Sequence, residues 1–509
     1  MDLIILKSFI PEIFLSLCVL FQLVFNAYLI NNLRHNFPIV DKEIFWQTAF
    51  ILFCLLLLLI NSKIEGYFSN FIFLNDSGTR YIKILFVCSC LSVLLILIRS
   101  FKLQKLNFFE YFTIFLLSIL SLLLLISASD MLSAYLVIEM QALAFYILAS
   151  FRRNSAFSTE AGLKYFISGS FISGIFLFGC SLIYGTLGTL NFNHLHALLA
   201  FPLETDLGGL SLFLIIGILM VTITFLFKVS AVPFHFWSPD VYEGAPLAST
   251  VIFSIIPKLA LFHFFIKWLT VVSESFYELK TVLLISGLLS VFLGAFFAIR
   301  QKRLKRLVIY SSIAQVGFLI AALSVNSVNS LVGVYFFLII YIITSVLVWT
   351  HFSNFYSFQE KSLTFFGQSP APLFLSSLSN FFKINKLWSV SFVIIFFSIA
   401  GIPPLSGFLS KIFILFGLIE SDQIVGSLLL ILISAISVFY YLRIIKVMFF
   451  ESKNYSFKHE SVQIIFNSPY FSLDCLLIAT FLFLLLFFFF YPSYLLLICH
   501  NIVLGSFYF

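Results

Sequence analysis

Charge is scarce in this chain. Asp, Glu, Lys and Arg make up 10% of its 509 residues, hydrophobic residues 61%, and the mean hydropathy is +1.11. A soluble domain carries roughly a quarter charged and about half apolar residues. These values exclude a water-soluble fold and imply an all-α polytopic membrane protein. About fourteen apolar runs reach the roughly 20 residues a bilayer requires. They leave no stretch long enough for a nucleotide-binding or extramembrane catalytic domain. Cysteine is also sparse, and Cys18, Cys54, Cys88, Cys90, Cys180, Cys475 and Cys499 all lie in or beside apolar runs without forming a C-x-x-C pair. They read as small buried hydrophobes, not as metal ligands or disulfides. The eight histidines include no H-x-x-x-H pair, and the alternation of His194 and His196 in a short loop is a weak metal signal. The sequence therefore offers no redox centre, no cofactor site and no metal site.

A targeting signal is missing as well. Met1 to Ile10 holds one lysine and one aspartate, with no Arg-rich, acid-poor stretch, and the run Ile10–Leu33 lacks a small-residue cleavage pattern. That run is expected to be a permanent span. A mitochondrial location would then require synthesis inside the organelle; a bacterial one is equally compatible with this feature. What the chain has in excess is phenylalanine, 70 residues. This suits lipid-facing surfaces but exceeds their needs, as an AT-rich organelle gene would produce.

The expected spans are Ile10–Leu33, Ile44–Ile60, Ile82–Ile98, Phe108–Ser127, Leu132–Phe151, Ala161–Leu187 and Leu210–Phe234, followed by Pro246–Leu269, Thr281–Ile299, Leu307–Leu323, Leu331–Thr350, Val390–Leu418, Val425–Val447 and Phe471–Ile498. An even number puts both termini on one side. Of the 29 Lys and Arg residues, 20 then fall in or beside loops on the opposite side, among them Arg300, Lys302, Arg303, Lys305 and Arg306. Six fall on the terminal side (Lys7, Lys63, Arg80, Lys83, Lys267 and Lys280), and three lie inside spans. By the positive-inside rule the basic side is the matrix or cytoplasm. The net charge of +7 is thus a topology signal, not a nucleic-acid surface.

The charges inside spans carry the functional argument. Lys228 ends the apolar segment Leu210–Phe227, and Pro233 follows five residues later. Proline removes a backbone donor and clashes with the preceding turn, so the helix should break there. Freed carbonyls survive in a membrane only where they line protein or a hydrated cavity. Lys411 follows a second break, at Pro403-Pro404. Lys258 lies about twelve residues past Pro246, roughly 18 Å into its helix. Glu139 sits well inside Leu132–Phe151. Any one of these could be a structural residue satisfied by a neighbouring carbonyl or hydroxyl. Four together, two beside proline breaks, favour a proton or ion path. His263 and Asp130 are weaker candidates: His263 reads equally as a satisfied helix histidine, and Asp130 as a helix cap.

The two broken spans also suggest a repeat. Each is the fourth member of a five-span unit, and an odd-numbered unit repeated in series must be inverted. The chain accordingly divides into a three-helix segment (1–107), two five-helix units (108–270 and 271–450), and a loop with a last helix (451–509).

The stretch Pro233-Phe234-His235-Phe236-Trp237-Ser238-Pro239-Asp240-Val241-Tyr242-Glu243-Gly244-Ala245-Pro246, flanked by Lys228 and Lys258, resembles the chain 2 family of NADH–ubiquinone oxidoreductase (respiratory complex I). So do Glu160-Ala161-Gly162-Leu163-Lys164-Tyr165-Phe166, Tyr310-Ser311-Ser312-Ile313-Ala314-Gln315-Val316-Gly317 and Ala400-Gly401-Ile402-Pro403-Pro404-Leu405-Ser406-Gly407-Phe408. The match extends from about Leu132 to Lys411. The related chain 4 typically has a glutamate where Lys411 stands and a Leu-His-rich turn after the first broken helix, and both differences favour chain 2. The resemblance implies a fourteen-helix antiporter-like subunit in the membrane arm. Its charged residues fall on Glu139, Lys228, Lys258 and Lys411. FMN, iron–sulfur clusters and ubiquinone would be bound by partner subunits. The expected setting is the mitochondrial inner membrane, with other membrane-arm subunits and lipid as neighbours. The plastid NAD(P)H dehydrogenase homologue, a multi-subunit cation/proton antiporter and a non-conducting scaffold are the alternatives. Chemically, burial disfavours an ammonium group and a nearby carboxylate favours it. Moving Glu139 would then switch Lys228 between holding and releasing a proton, Lys258 would relay it, and Lys411 would terminate the second half-channel.

Overall fold

The computed structural model describes residues 8–32, 37–62, 65–68, 72–104, 109–200, 208–272, 276–364, 374–379, 381–451 and 469–507. A chain in lipid must satisfy its backbone polar groups internally, and helices do so segment by segment. The N-terminal segment is α1 (Ile10–Asn32), α2 (Phe37–Asn61) and α3 (Ser77–Gln104). A small antiparallel hairpin joins the last two, with β1 (Gly66–Phe68) and β2 (Phe73–Asn75) pairing Tyr67 with Leu74. The first five-helix unit comprises α4 (Glu110–Ser127), α5 (Met131–Ala149), α6 (Ala156–Leu187), a broken helix and α10 (Leu247–Val272). Its broken member is α8 (Gly208–Val229) followed by α9 (Trp237–Gly244), with the short helix α7 (Phe192–Ala200) before it. The second unit comprises α11 (Tyr277–Arg300), α12 (Leu304–Leu323), α13 (Val328–Thr364), a broken helix and α17 (Ile424–Phe450). Here the broken member is α15 (Lys386–Ala400) and α16 (Ser406–Glu420), preceded by the one-turn α14 (Phe381–Ile384). The chain ends in α18 (Pro469–Phe490) and α19 (Pro492–Phe507).

Among the described residues, thirteen helices are long and apolar enough to cross a membrane. The half-length α15 and α16, 15 residues each, together make a fourteenth span. The units are inverted: Gln104 before α4 and Arg303 after α11 line one cavity with Arg152 and Lys164, so α4 starts at the basic end and α11 finishes there. That end is stitched across the units. Arg306 bonds Asp240 at 2.6 Å, and both Arg303 and Arg306 pair with Glu243. The units meet through the two central helices, α10, buried along its apolar length, and α13, nearly all of whose apolar stretch is buried.

Several expectations change. The run Phe471–Ile498 is not one span, because it turns at Tyr491, whose N–H makes the last helical bond to Phe487 O (2.9 Å). Pro492 has no N–H to continue the ladder and instead opens α19 at a first-turn position, where proline is tolerated. Lys83, expected at the terminal-side end of its span, lies buried within α3, paired with Glu12 of α1. Arg99, near the other end of α3, is buried against Asp474 of α18 at 2.6 Å. Lys267, expected at an interfacial helix end, is 1% exposed inside α10. In each case neighbouring helices cover a position that would be interfacial on an isolated span.

Candidate functional site

Two helix breaks and one proline-bent helix position the three lysines. α8 stops in a Schellman cap: Ser230 is left-handed (φ 66°), its N–H bonds Phe227 O at 2.9 Å, and Ala231 N–H bonds Leu226 O at 2.8 Å. This is the pattern that satisfies the last carbonyls of a helix. Pro233 then prevents the helix from resuming, and α9 starts at Trp237. The Trp237 indole N–H donates to Phe227 O at 3.0 Å. Phe227 O thus accepts two protein donors, the Ser230 N–H and the indole, and the end of the helix is satisfied by protein, as a membrane break requires. Lys228 stands one residue before this cap, and its ammonium has no hydrogen-bond partner among the described residues. Glu139, on α5, is the carboxylate brought within electrostatic reach of it. The two form no direct ion pair, and Glu139 Oε1 is buried without a hydrogen-bond partner.

The second break repeats the cap. Gly401 is left-handed (φ 84°) and its N–H bonds both Phe397 O and Ser398 O at 3.0 Å, while Ile402 N–H reaches Phe397 O at 3.0 Å. Pro403-Pro404 follows, and α16 begins at Ser406. Lys411 lies beyond the break and reaches back over it: its Nζ donates to Ala400 O at 2.6 Å. A side chain at Gly401 would collide with it, since an added Cβ would lie 2.9 Å from Lys411 Cδ and 3.0 Å from Nζ.

Lys258 is deeply buried on α10 and donates to the Tyr341 hydroxyl at 2.6 Å. Tyr341 in turn donates to Ser254 O at 3.1 Å. Pro257 stands directly before Lys258 inside the helix and deprives Phe253 O of its usual donor; the Tyr242 hydroxyl supplies one at 3.1 Å. All three intramembrane lysines thus sit beside interrupted helical bonding. Two small cavities share Gln315, Tyr341, Thr344 and Ile399, one also lined by Ser254 and the other by Lys411. Both border Tyr341, the hydrogen-bond partner of Lys258, and one of them reaches Lys411.

The structure therefore groups Glu139 with Lys228 and connects Lys258 towards Lys411. Asp130 is the N-cap of α5, its side chain accepting from Leu132 N–H at 3.2 Å. His263 is fully buried and 2.8 Å from the Tyr335 hydroxyl. Sequence reasoning gave no role to Tyr341, Thr344 or Gln315; nothing local distinguishes the first two from other polar residues in an apolar run, whereas Gln315 lies in the stretch 310–317 that carries part of the family resemblance. Pro257 could have been found, because Ile256-Pro257-Lys258 repeats the pairing of lysine with proline.

Two inverted five-helix units, each with a capped break and its own lysine, define an antiporter-like membrane subunit. Residues 128–437 match the family described as NADH:quinone oxidoreductase/Mrp antiporter, TM. The chain belongs to that family. NADH-ubiquinone oxidoreductase chain 2 of Marchantia polymorpha is 34% identical over 500 residues, covering 97% of each chain. Respiratory complex I from Thermus thermophilus with bound aureothin contains a chain that superposes with a TM-score of 0.70 at 23% identity, over 93% of this chain and 97% of that one. A chain of the Mrp complex from Dietzia sp. DQ12-45-1b gives 0.79 at 16% identity, over 98% and 97%. At these identities the two structures share the fold.

Proposed function

We propose that this chain is the antiporter-like, proton-translocating subunit of an NADH:quinone oxidoreductase of the respiratory complex I type, with Glu139, Lys228, Lys258 and Lys411 as its proton carriers. The observation that carries this reading is a buried Glu139 oxygen with no hydrogen-bond partner, held within electrostatic reach of Lys228 at a capped helix break. Burial disfavours the ammonium form and the carboxylate favours it, so a small change in their separation loads or unloads the lysine. Lys258 passes the proton by way of Tyr341, and Lys411 closes the second half of the route. The chain works as part of the oxidoreductase. NADH oxidation and quinone reduction, with FMN and iron–sulfur clusters, belong to partner subunits of the assembly. The setting is the mitochondrial inner membrane, supported by the plant chain 2 relative.

A cation/proton antiporter role is favoured by one observation, the higher TM-score with the Mrp complex. The relative that is 34% identical along 97% of the chain favours the oxidoreductase. Sodium-linked transport independent of NADH would support the antiporter. A non-conducting scaffold would tolerate neutral substitutions at the four charges.

The test is Lys228→Arg in the assembled complex, reading NADH-driven proton uptake in proteoliposomes. Arginine keeps the charge but stays protonated at any reachable pH. If Lys228 must release its proton each cycle, Lys228→Arg fails about as badly as Lys228→Ala, a loss on the order of a hundredfold. Assembly is checked first, because an unpaired buried Glu139 could destabilise the alanine variant. A working Lys228→Arg enzyme with its proton-to-electron ratio intact would remove this lysine from the route.

A further inference from the structure

A second group of buried ionisable residues lies towards the terminal side, away from the route described above. Lys267 is nine residues beyond Lys258 on α10, about 13 Å along the axis. Its Nζ donates to Ile126 O at 2.8 Å, at the end of α4, and it lies within electrostatic reach of Asp76 and Lys83. Lys83 is paired with Glu12 and bonded to Asn75 Oδ1, and both charged side chains of the pair are more than nine-tenths buried. Glu12 Oε2 is buried with no hydrogen-bond partner. Glu12, Asp76 and Lys83 line a cleft with Arg80, and the exposed Glu65 stands at its rim. Between Lys258 and Lys267 stands His263. Its Nδ1 is 2.8 Å from the Tyr335 hydroxyl, Nε2 is buried and partnerless, and the ring is within electrostatic reach of Lys267 and Lys83.

A purely structural clasp explains only part of this. The Lys83–Glu12 pair alone would tie α3 to α1, and buried pairs are often no more stabilising than apolar residues of the same volume. Lys267 and the bare nitrogen of His263 add two further desolvated groups, four residues apart and hence on one face of α10. Ionisable residues at membrane depth usually mark a transport path.

We infer that these residues form a second proton branch, leading from Lys258 through His263 and Lys267 to Asp76 and the Lys83–Glu12 pair at the terminal-side surface. The inference rests on the proton-translocating reading proposed above. Each carrier takes up one proton and passes one on: imidazole becomes imidazolium and reverts, the Lys267 amine becomes ammonium and reverts, and the Asp76 carboxylate accepts that proton, becomes the carboxylic acid and releases it to the terminal side. Burial raises the Asp76 carboxyl to about 6, against the lowering effect of Lys267 and with the support of Glu65. It therefore exchanges protons near neutral pH.

The experiment compares Lys267→Gln, Lys267→His and Asp76→Asn with Lys228→Ala, each in the assembled complex, by NADH-driven proton uptake in proteoliposomes. Lys267→Gln is expected to lose about tenfold or more of coupled turnover. Lys267→His should recover part of that loss, with a rate that rises as pH falls from about 8 to about 6, where imidazole titrates. A merely structural lysine would show no such pH response. Asp76→Asn keeps the shape of a cleft-rim residue whose backbone, not its side chain, bonds Thr79 and Arg80. It should assemble whether or not Lys267→Gln does, and should slow turnover about threefold. Normal turnover in Lys267→Gln with an inactive Lys228→Ala overturns the branch and leaves the main route standing. Equal loss in both Lys267 variants, with normal Asp76→Asn, also overturns it. Normal turnover in every variant, Lys228→Ala included, overturns the proposed function itself.

Discussion

The two broken helices share one cap and use it in opposite ways. At the first break the lysine precedes the cap, and Phe227 O, which already accepts the Ser230 N–H, also receives the Trp237 indole N–H. Among the described residues Lys228 has no hydrogen-bond acceptor, and Glu139 lies within electrostatic reach of it. At the second break the lysine follows the cap and is itself the donor to the leftover carbonyl, Ala400 O. The first break thus isolates its lysine for switching by a carboxylate on another helix. The second holds its lysine against the backbone of its own span, with the Phe318 ring 5.5 Å from Nζ. A proline break in a membrane span is therefore not one device. What matters is which side chain reaches the freed carbonyl first.

If that distinction is right, closing the second break should do the most damage. Gly401→Ala forces a left-handed alanine, costing about 1–2 kcal/mol, and puts its Cβ against the end of Lys411. The lysine must leave Ala400 O to make room. Coupled proton uptake is expected to fall about tenfold, with the complex still assembled. Turnover unchanged within error would mean that the Lys411–Ala400 bond plays no part in transport.

Opening the first break should do less. Trp237→Phe removes the indole donor from Phe227 O, which keeps the Ser230 N–H, so the net loss is about 1 kcal/mol. Ring stacking on Tyr165, at 4.9 Å between centroids, is retained in large part. The vacated carbonyl position becomes available to Lys228, making the first site resemble the second. Proton uptake is expected to slow about threefold, because a proton held by a carbonyl is released less readily. Measuring uptake against assembled complex separates this from simple loss of protein. A variant slower than Gly401→Ala would invert the ranking of the two breaks.

How far this contrast was visible in the sequence follows from where each partner lies. The breaks themselves were legible, since Pro233 and Pro403-Pro404 act on their own helix. The four charges stood out because an apolar run makes any ionisable residue conspicuous, and Asp130 was read as a cap from its place before α5. The acceptors were not legible. Tyr341 lies 83 residues from Lys258, and Ala400 is reached only because the break lets the Lys411 side chain extend back to the end of α15. Lys267 was misjudged because a lysine five residues from a helix end is interfacial on an isolated span. Here α10 is central, and α3 and α4 pack against it, with Ile126 O at the end of α4 accepting from Lys267. The turn at Tyr491-Pro492 was passed over because hydropathy continues unbroken across it.

The smallest expected effect tests whether strain at the first break has a purpose. Ser230 holds a left-handed conformation (φ 66°) that costs an L-residue about 1–2 kcal/mol. Gly401 adopts the same conformation freely at the other break. Ser230→Gly should remove the strain, although glycine also widens the unfolded ensemble and gives back up to about 1 kcal/mol. The net change in thermal stability is therefore close to zero or slightly positive. The cap itself is made by backbone N–H groups and survives the substitution. Proton uptake by the assembled complex should stay within about twofold of the parent, since Lys228, Glu139 and the Trp237 seal are all retained. A tenfold loss would have a different meaning. It would show that the first break stores strain that the cycle uses, and that a serine rather than a glycine stands at this turn for function.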